Sequence, residues 1–274
     1  DNLSVPLPGD IPQYSGEKQR GSFVVRENGR DPVSEAFRMI RSNMNFMNLG
    51  TGEIKVIMVT SSNPHAGKTF VSTNLAMTFA TTGKKVVIMD LDLRRRTFSK
   101  QMGHGGDTNG VSSYLSGSTE LQAIIRKSKL SEKLDIIYAG IQPPNPSEML
   151  LSQRMEELIA ELKLHYDYII IDSTPAMAVA DAIITDRLAD LSIYVVREGL
   201  LDRRQLPDIE RLYREKKFHN MAIILNGASS TKRHGYGYGY GYGYGYGLDE
   251  EETTTKKGFW GKLCEWTRNK FQKK

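Results

Sequence analysis

Runs of consecutive apolar residues, most of them followed by a stretch of helical periodicity, limit what this chain can become. Ile54–Ser61 (IKVIMVTS), Lys85–Asp92 (KVVIMDLD), Leu134–Ala139 (LDIIYA), Asp167–Asp172 (DYIIID), Leu191–Val196 (LSIYVV) and Met221–Asn226 (MAIILN) each read as a strand. A strand with one face in water alternates apolar and polar residues; these do not, so both faces are expected to be buried. Helical patterns lie between them, over Lys68–Thr82, Pro146–His165, Asp181–Leu188 and Arg203–Lys217. Buried strands separated by helices predict an α/β fold with a mainly parallel central sheet flanked by helices. Another helix is expected over 31–48, where Ala36, Phe37, Ile40, Met44 and Met47 recur at spacings of three and four behind Asp31-Pro32. Residues 1–30, with Pro6, Pro8 and Pro12 close together, read as an extended leader. The organisation expected is a leader (1–30), one domain (31–232), a tyrosine-rich tract (233–247) and a charged tail (248–274).

Composition narrows the class. The 274 residues, 39% hydrophobic and 25% charged, allow one sizeable domain with extensions and exclude a wholly disordered chain. No run approaches the ~18 apolar residues of a membrane-crossing helix. A single cysteine, Cys264, excludes an internal disulfide, and scattered histidines give no zinc-ligand spacing. Net charge is +5, compatible with nucleic acid or anionic lipid, so where the charge sits matters more than its sum. The chain opens at Asp1 without a charged-then-apolar signal segment, and a fragment or processed product is expected.

The chemistry is concentrated where strands end. Ser62-Asn63-Pro64-His65-Ala66-Gly67-Lys68-Thr69 follows a strand, opens a helix and has P-loop spacing, with serine in place of the first glycine. Such a loop turns backbone N–H groups toward phosphate oxygens, and the helix N-terminus adds partial positive charge. Lys68 supplies a full charge, and Thr69 a hydroxyl for Mg²⁺. Asp90 and Asp92 stand two apart at a strand's C-terminal end, where i and i+2 point the same way. Asp172 closes Ile169-Ile170-Ile171-Asp172 as a Walker B carboxylate does. Ligands of open parallel sheets bind at that edge. Lys68 is expected at the edge and outside the core, so that its removal spares the fold.

These segments resemble the bacterial tyrosine kinases of capsule and exopolysaccharide synthesis, the Wzc-like group on the MinD/ParA side of the P-loop NTPases. The resemblance rests on S-S-N-P-H-A-G-K-T (61–69), V-V-I-M-D-L-D-L-R (86–94), I-I-I-D-S-T-P (169–175), E-A-F-R-M-I-R (35–41) and a C-terminal tyrosine cluster. It covers roughly Asp31 to Gly247, and Val5–Pro12 looks like the family's entry into the domain. Two departures stand out: His65 occupies a usual glycine position, and Arg96 stands where many members have proline.

The resemblance implies phosphoryl transfer from ATP with Mg²⁺ to a tyrosine hydroxyl. It implies nucleotide contacts by Ser62, Asn63, Pro64, His65, Ala66, Gly67, Lys68, Thr69, Phe70 and Arg94. Lys68, Asp90, Asp92 and Asp172 would be the catalytic group, and Thr69, Asp90 and Asp172 the metal ligands. Asp90 and Asp92 would flank the γ-phosphate, one assisting the metal and the other taking the tyrosine proton; the assignment is open, with Asp92 favoured as base. Glu35, Arg38 and Arg41 match an ExxRxxR motif that implies subunit contact in a homo-oligomeric ring, by resemblance an octamer. Other implied partners are a cognate tyrosine phosphatase, polysaccharide synthesis and export machinery, and an upstream transmembrane region, with no nucleic acid. The implied location is the cytoplasmic face of the bacterial inner membrane. The rival reading is a MinD/ParA-type ATPase acting as a nucleotide-dependent switch. Partition ATPases carry a signature lysine near the position of Asn63, and none lies between Lys55 and Lys68 here.

An alternating Gly-Tyr tract offers Tyr236, Tyr238, Tyr240, Tyr242, Tyr244 and Tyr246. Glycine carries maximal chain entropy and these tyrosines have no partner sheet, so a flexible tract of accessible phosphoacceptors is expected. Four acids, Asp249 to Glu252, precede a basic aromatic tail with Trp260, Leu263, Cys264 and Phe271 at helical spacing. That tail suits an anionic membrane surface, a helix docked on the domain, or a disordered end.

Overall fold

The structure is a computed structural model that describes residues 3–14, 23–47, 52–176 and 180–229. The Gly-Tyr tract and the charged tail lie outside the described residues. In chain order the elements are β1 (Gly9–Pro12), α1 (Pro32–Phe46), β2 (Val56–Ser61), α2 (Lys68–Ala80), β3 (Val86–Asp90), α3 (Thr97–Gln101), α4 (Val111–Leu115), α5 (Leu121–Ile124) and β4 (Ile125–Lys127). They continue with β5 (Leu134–Ile137), α6 (Pro146–Leu151), α7 (Gln153–His165), β6 (Tyr168–Asp172), α8 (Asp181–Asp186), β7 (Leu191–Arg197), a 3-10 turn (Arg203–Gln205), α9 (Leu206–Arg214) and β8 (Met221–Ala228).

The strands form one sheet in the order β1-β8-β7-β2-β6-β3-β5-β4. All pairs are parallel except β4 against β5. Successive side chains of a strand face opposite sides, and each side has its own core. Val56, Met58, Val87, Met89, Ile169 and Ile171 pack with Met155, Leu158 and Leu162 of α7. Ile57, Val59, Val86, Ile88 and Ile170 pack with Phe37 and Ile40 of α1 and Leu75 and Phe79 of α2. The parallel α/β sheet expected from the apolar runs is therefore the fold observed.

Helix α2 is buried almost all round, although it carries Ser72, Thr73 and Thr78. Their hydroxyls donate back to the carbonyls of Lys68, Thr69 and Asn74 one turn earlier, so none of these three is buried without an acceptor. Helix α1 starts at Asp31, whose carboxylate accepts from the amides of Val33 and Ser34 and from the Ser34 hydroxyl. Pro32 occupies its first turn, where no amide donor is required.

The leader is less detached than its prolines suggest. Gly9–Pro12 adds a parallel edge strand beside β8, with Ile11 opposite Asn226. Val5 is buried in one core, and Ile11 and Val25 in the other. Asn74 Oδ1 accepts from the amides of Val24 and Val25, and Asn43 Nδ2 donates to the Pro8 carbonyl. An edge strand tolerates proline because its outer side has no ladder to complete. The helical pattern 146–165 also divides: Ser152 takes an extended conformation that ends α6 and begins α7. Among the described residues no helix is long and apolar enough to cross a membrane.

Candidate active site

The parallel register brings the C-terminal ends of β2, β3 and β6 level, with Asp172 beside Val59 on one side and Asp90 on the other. The loop 62–67 leaves β2 at this edge. His65 and Gly67 are left-handed, at φ 66° and 94°, and turns of this kind bring successive N–H groups together. The loop is braced from β7 and β8. Arg197 Nη1 donates to the His65 carbonyl at 3.2 Å, and Asn226 Nδ2 to the Ala66 carbonyl at 2.9 Å. A β-carbon on Gly67 would lie 2.2 Å from Asn226 Nδ2, so the backbone favours glycine and a side chain would push the Asn226 amide off the Ala66 carbonyl. His65 holds a conformation that costs a non-glycine residue roughly 1–2 kcal/mol.

Gly67 caps α2, and the next two residues turn into a buried polar cluster. Lys68 Nζ is 3.2 Å from Asp172 Oδ1 and 3.8 Å from Asp92 Oδ2. Thr69 donates its hydroxyl proton to Asp172 Oδ2 at 2.8 Å. Burial works against the Lys68 ammonium, but Asp172, Asp92 and Asp90 together hold its pKa above the ordinary value. Lys68 is only 8% exposed. The expectation that it stands outside the core is corrected: it is the buried counter-charge of three carboxylates.

The carboxylates differ in their partners. Asp90 Oδ2 accepts from the amide and hydroxyl of Ser99, and Oδ1 from the amide of Asp92. Burial, reinforced by Asp172, pushes its pKa up to about 7. Burial likewise raises Asp172, against the opposing pull of Lys68 and Thr69. Strand β3 stops at Asp90, so Asp92 does not share a strand face with it. Asp92 sits in the turn beyond, where Oδ1 accepts from the Arg95 amide. Asp92 Oδ2 is buried and has no hydrogen-bond donor among the described residues. The Lys68 ammonium, 3.8 Å away, compensates its charge but leaves its hydrogen-bonding capacity unused.

Lys68, Thr69, Asp90, Asp92 and Asp172 thus converge as expected, while the other expected residues divide. Phe70 turns its ring toward Phe37 and Tyr14, at 6.1 and 6.4 Å between centroids. Arg94 stands partly exposed, bound to Asp181 and Ser147. On α1, Arg38 pairs with exposed Glu35 and also reaches the Gly29 carbonyl. Arg41 Nη1 donates to the Thr78 carbonyl at 2.9 Å. Four side chains that sequence reasoning missed also shape the site: Ser99, Asp181, Arg197 and Asn226. Each acts across at least nine residues of chain, and none belongs to a spaced motif.

Fold, loop and carboxylates define a P-loop NTPase domain. Residues 54–196 match the family model described as an AAA domain. The chain is 33% identical over 221 residues to the tyrosine-protein kinase YwqD of Bacillus subtilis, covering 81% of this chain and 92% of that one. It is 35% identical over 205 residues to the tyrosine-protein kinase etk of Escherichia coli K12, covering 75% of this chain but 28% of that one. The solved kinase domain of Escherichia coli ETK superposes with a TM-score of 0.72 at 32% identity, covering 87% of this chain and 95% of that structure. The chain belongs to the family of bacterial tyrosine kinases. It spans less than a third of the length of relatives such as etk.

Proposed function

We propose that this chain is a protein-tyrosine autokinase that transfers the γ-phosphoryl group of ATP to tyrosines of its own C-terminal tract, and that this transfer regulates capsular or exopolysaccharide synthesis and export. The observation that carries the reading is the buried lysine among three carboxylates at the mouth of a P-loop, one carboxylate oxygen being left without a donor. The relatives' common description as tyrosine kinases supports it, and so does the Gly-Tyr tract in the sequence.

The residues fit a magnesium nucleotide. Their donors are hard oxygens, a hydroxyl and carboxylates, which suit Mg²⁺. Thr69, Asp90 and Asp172 would hold the ion, which when bound offsets negative charge on the phosphates. The loop 62–67 would cradle the phosphate chain, and Lys68 would exchange part of its contact with Asp172 for the β- and γ-phosphates. Asp92 Oδ2, which accepts no hydrogen bond among the described residues and meets only the Lys68 ammonium at 3.8 Å, would accept the phenol proton once Lys68 turns to the phosphates. In the transfer the tyrosine oxygen forms the new bond to phosphorus, the bond to the β–γ bridging oxygen breaks, and the proton passes to Asp92. Positioning and charge complementarity supply most of the acceleration in such reactions.

Transfer is proposed to occur in trans within a homo-oligomeric ring, an octamer by family resemblance, built on Glu35, Arg38 and Arg41. The acceptors are Tyr236, Tyr238, Tyr240, Tyr242, Tyr244 and Tyr246, with a tyrosine phosphatase as the resetting partner. The working location is the cytoplasmic face of the inner membrane, beside an upstream membrane region. The test is incubation with labelled ATP and Mg²⁺ followed by mapping of phosphotyrosine. Label on residues 236–246 is expected, and is lost in Lys68→Ala. ATP hydrolysis without phosphotyrosine would overturn the kinase reading in favour of a nucleotide-dependent switch.

A further inference from the structure

We infer that Asp181, seconded by Ser147, is the positioning residue that fixes the guanidinium of Arg94 for work on the transferred phosphoryl group; this rests on the kinase reading above. The three residues come from separate parts of the fold. Arg94 follows Asp92 in the turn after β3, Ser147 lies in the first turn of α6, and Asp181 opens α8 nine residues past Asp172. Arg94 Nε donates to Asp181 Oδ2 at 2.6 Å, and its Nη2 reaches Asp181 Oδ1 at 3.3 Å. Ser147 closes the figure, donating to Asp181 Oδ1 at 2.6 Å while accepting from Arg94 Nη2 at 2.8 Å.

The partners are unequal in burial, and this gives the contact its direction. The Asp181 side chain is 2% exposed and that of Arg94 40%. Asp181 is a fixed anchor, and Arg94 is the arm held by it. A guanidinium gripped along its Nε–Nη2 edge has its plane defined, which a lysine ammonium at the same place could not achieve. No acceptor among the described residues engages Nη1, so the opposite edge is available to an anion. Arg94 stands two residues from Asp92, whose charge also acts on it, and a long side chain there would otherwise lose rotamer freedom at the moment of reaction. Asp181 removes that freedom beforehand. It also ties the turn carrying Asp92 to the segment that follows Asp172, so the two carboxylate-bearing strands share one brace beyond their ends.

A merely structural ion pair would change stability and leave the kinetic constants alone. A positioning role adds a kinetic loss to whatever stability the pair contributes. The experiment measures tyrosine phosphorylation (kcat and KM for ATP), binding of a fluorescent ADP analogue, and Tm for wild type, Asp181→Asn, Ser147→Ala, Arg94→Lys and the Arg94→Lys/Asp181→Asn pair. Asp181→Asn keeps the side chain's shape and is expected to lower kcat about tenfold with ADP affinity nearly unchanged. Ser147→Ala, which removes one hydroxyl at a partly exposed position, is expected to lower kcat about two- to threefold at unchanged Tm. In the Arg94→Lys background the Asp181 change should add nothing, because the fork it orients is gone. If wild type transfers phosphate and Asp181→Asn keeps its kcat, or if the paired effects multiply, the inference is overturned and the kinase reading stands. If wild type binds ADP and makes no phosphotyrosine, both are overturned.

Discussion

Lys68 Nζ lies 3.2 Å from Asp172 Oδ1, joining the first turn of α2 to the last residue of β6 where solvent hardly reaches. Removing one partner of a buried pair costs about 3–5 kcal/mol, because the other charge remains without compensation. Lys68→Ala is therefore expected to abolish phosphoryl transfer and also to lower Tm clearly. Pairing it with Asp172→Asn should recover part of the Tm and none of the activity. Thermal melts of the single and paired variants check this; an unchanged Tm in Lys68→Ala would contradict the buried cluster.

Gly67 makes a second prediction independent of charge. Alanine there must hold φ near 94° and place its β-carbon against Asn226 Nδ2. The backbone strain alone is roughly 1–2 kcal/mol. Gly67→Ala is expected to weaken nucleotide binding about tenfold, since relief of the contact costs the loop either its own position or its Asn226 brace. Adding Asn226→Ala removes the clash and leaves the strain, so Tm should recover only in part. ADP titrations and melts of both variants decide it.

The leader's role in the fold is tested at Ile11 and Asn74. Ile11 is fully buried beside β8, and truncating such a side chain costs about 2–5 kcal/mol. Ile11→Ala should lower stability by that order. Asn74→Ala strips the acceptor from the Val24 and Val25 amides, at a cost of about 1–3 kcal/mol. Urea melts of each variant would show a leader independent of the fold if neither midpoint moved.

How much of this was legible beforehand depends on range. The interior strands announced themselves because both faces are apolar, and the P-loop because its chemistry is contiguous. Strand β1 was hidden by Pro6, Pro8 and Pro12, and β4 by its length, with Ile125 its one apolar residue. The break at Ser152 was invisible because apolar spacing runs through it. Asp90 and Asp92 do lie together, but through the Asp92 amide's bond to Asp90 Oδ1 in the turn, since the strand ends at Asp90. Arg94 and Asp181 are 87 residues apart, and Asn226 reaches Ala66 across 160. Contacts of that kind follow from sheet order, which local pattern does not encode.

Asp31 supplies the pH dependence. Burial is the largest single influence and raises its pKa, but the Ser34 hydroxyl and the amides of Ser34, Asp31 and Val33 together outweigh it and leave it below the ordinary carboxylate value. A folded-state pKa that is depressed contributes stability above the unfolded value of about 3.9, and loses it as pH falls through the folded value. Asp31→Ala is therefore expected to cost about 1 kcal/mol at pH 7 through loss of the cap. The gap from wild type should narrow below about pH 4. Chemical melts at pH 7 and pH 3.5 measure the difference, and a gap that widens in acid would contradict the capping role.

The α1 stripe gives the last prediction, because its members are not equivalent. Glu35 meets Arg38 at the surface, where such pairs are worth about 0–1 kcal/mol, while Arg38 also donates to the Gly29 carbonyl. Arg41 instead donates to the Thr78 carbonyl near the C-terminal end of α2, where a cation also meets the negative end of the helix dipole. Glu35→Ala, which removes only the surface partner, is expected to leave Tm nearly unchanged, whereas Arg41→Ala should cost about 1–3 kcal/mol of stability, as for a hydrogen bond to a charged group. If the stripe also joins subunits, the Glu35→Ala variant should lose mass in sedimentation while remaining as stable as wild type, and ADP affinity should not change. Loss of assembly confined to Arg41→Ala would trace instead to loosening of the α1–α2 contact. An unaltered oligomer in both variants would remove the stripe from the interface and leave Arg41 as a brace within one subunit.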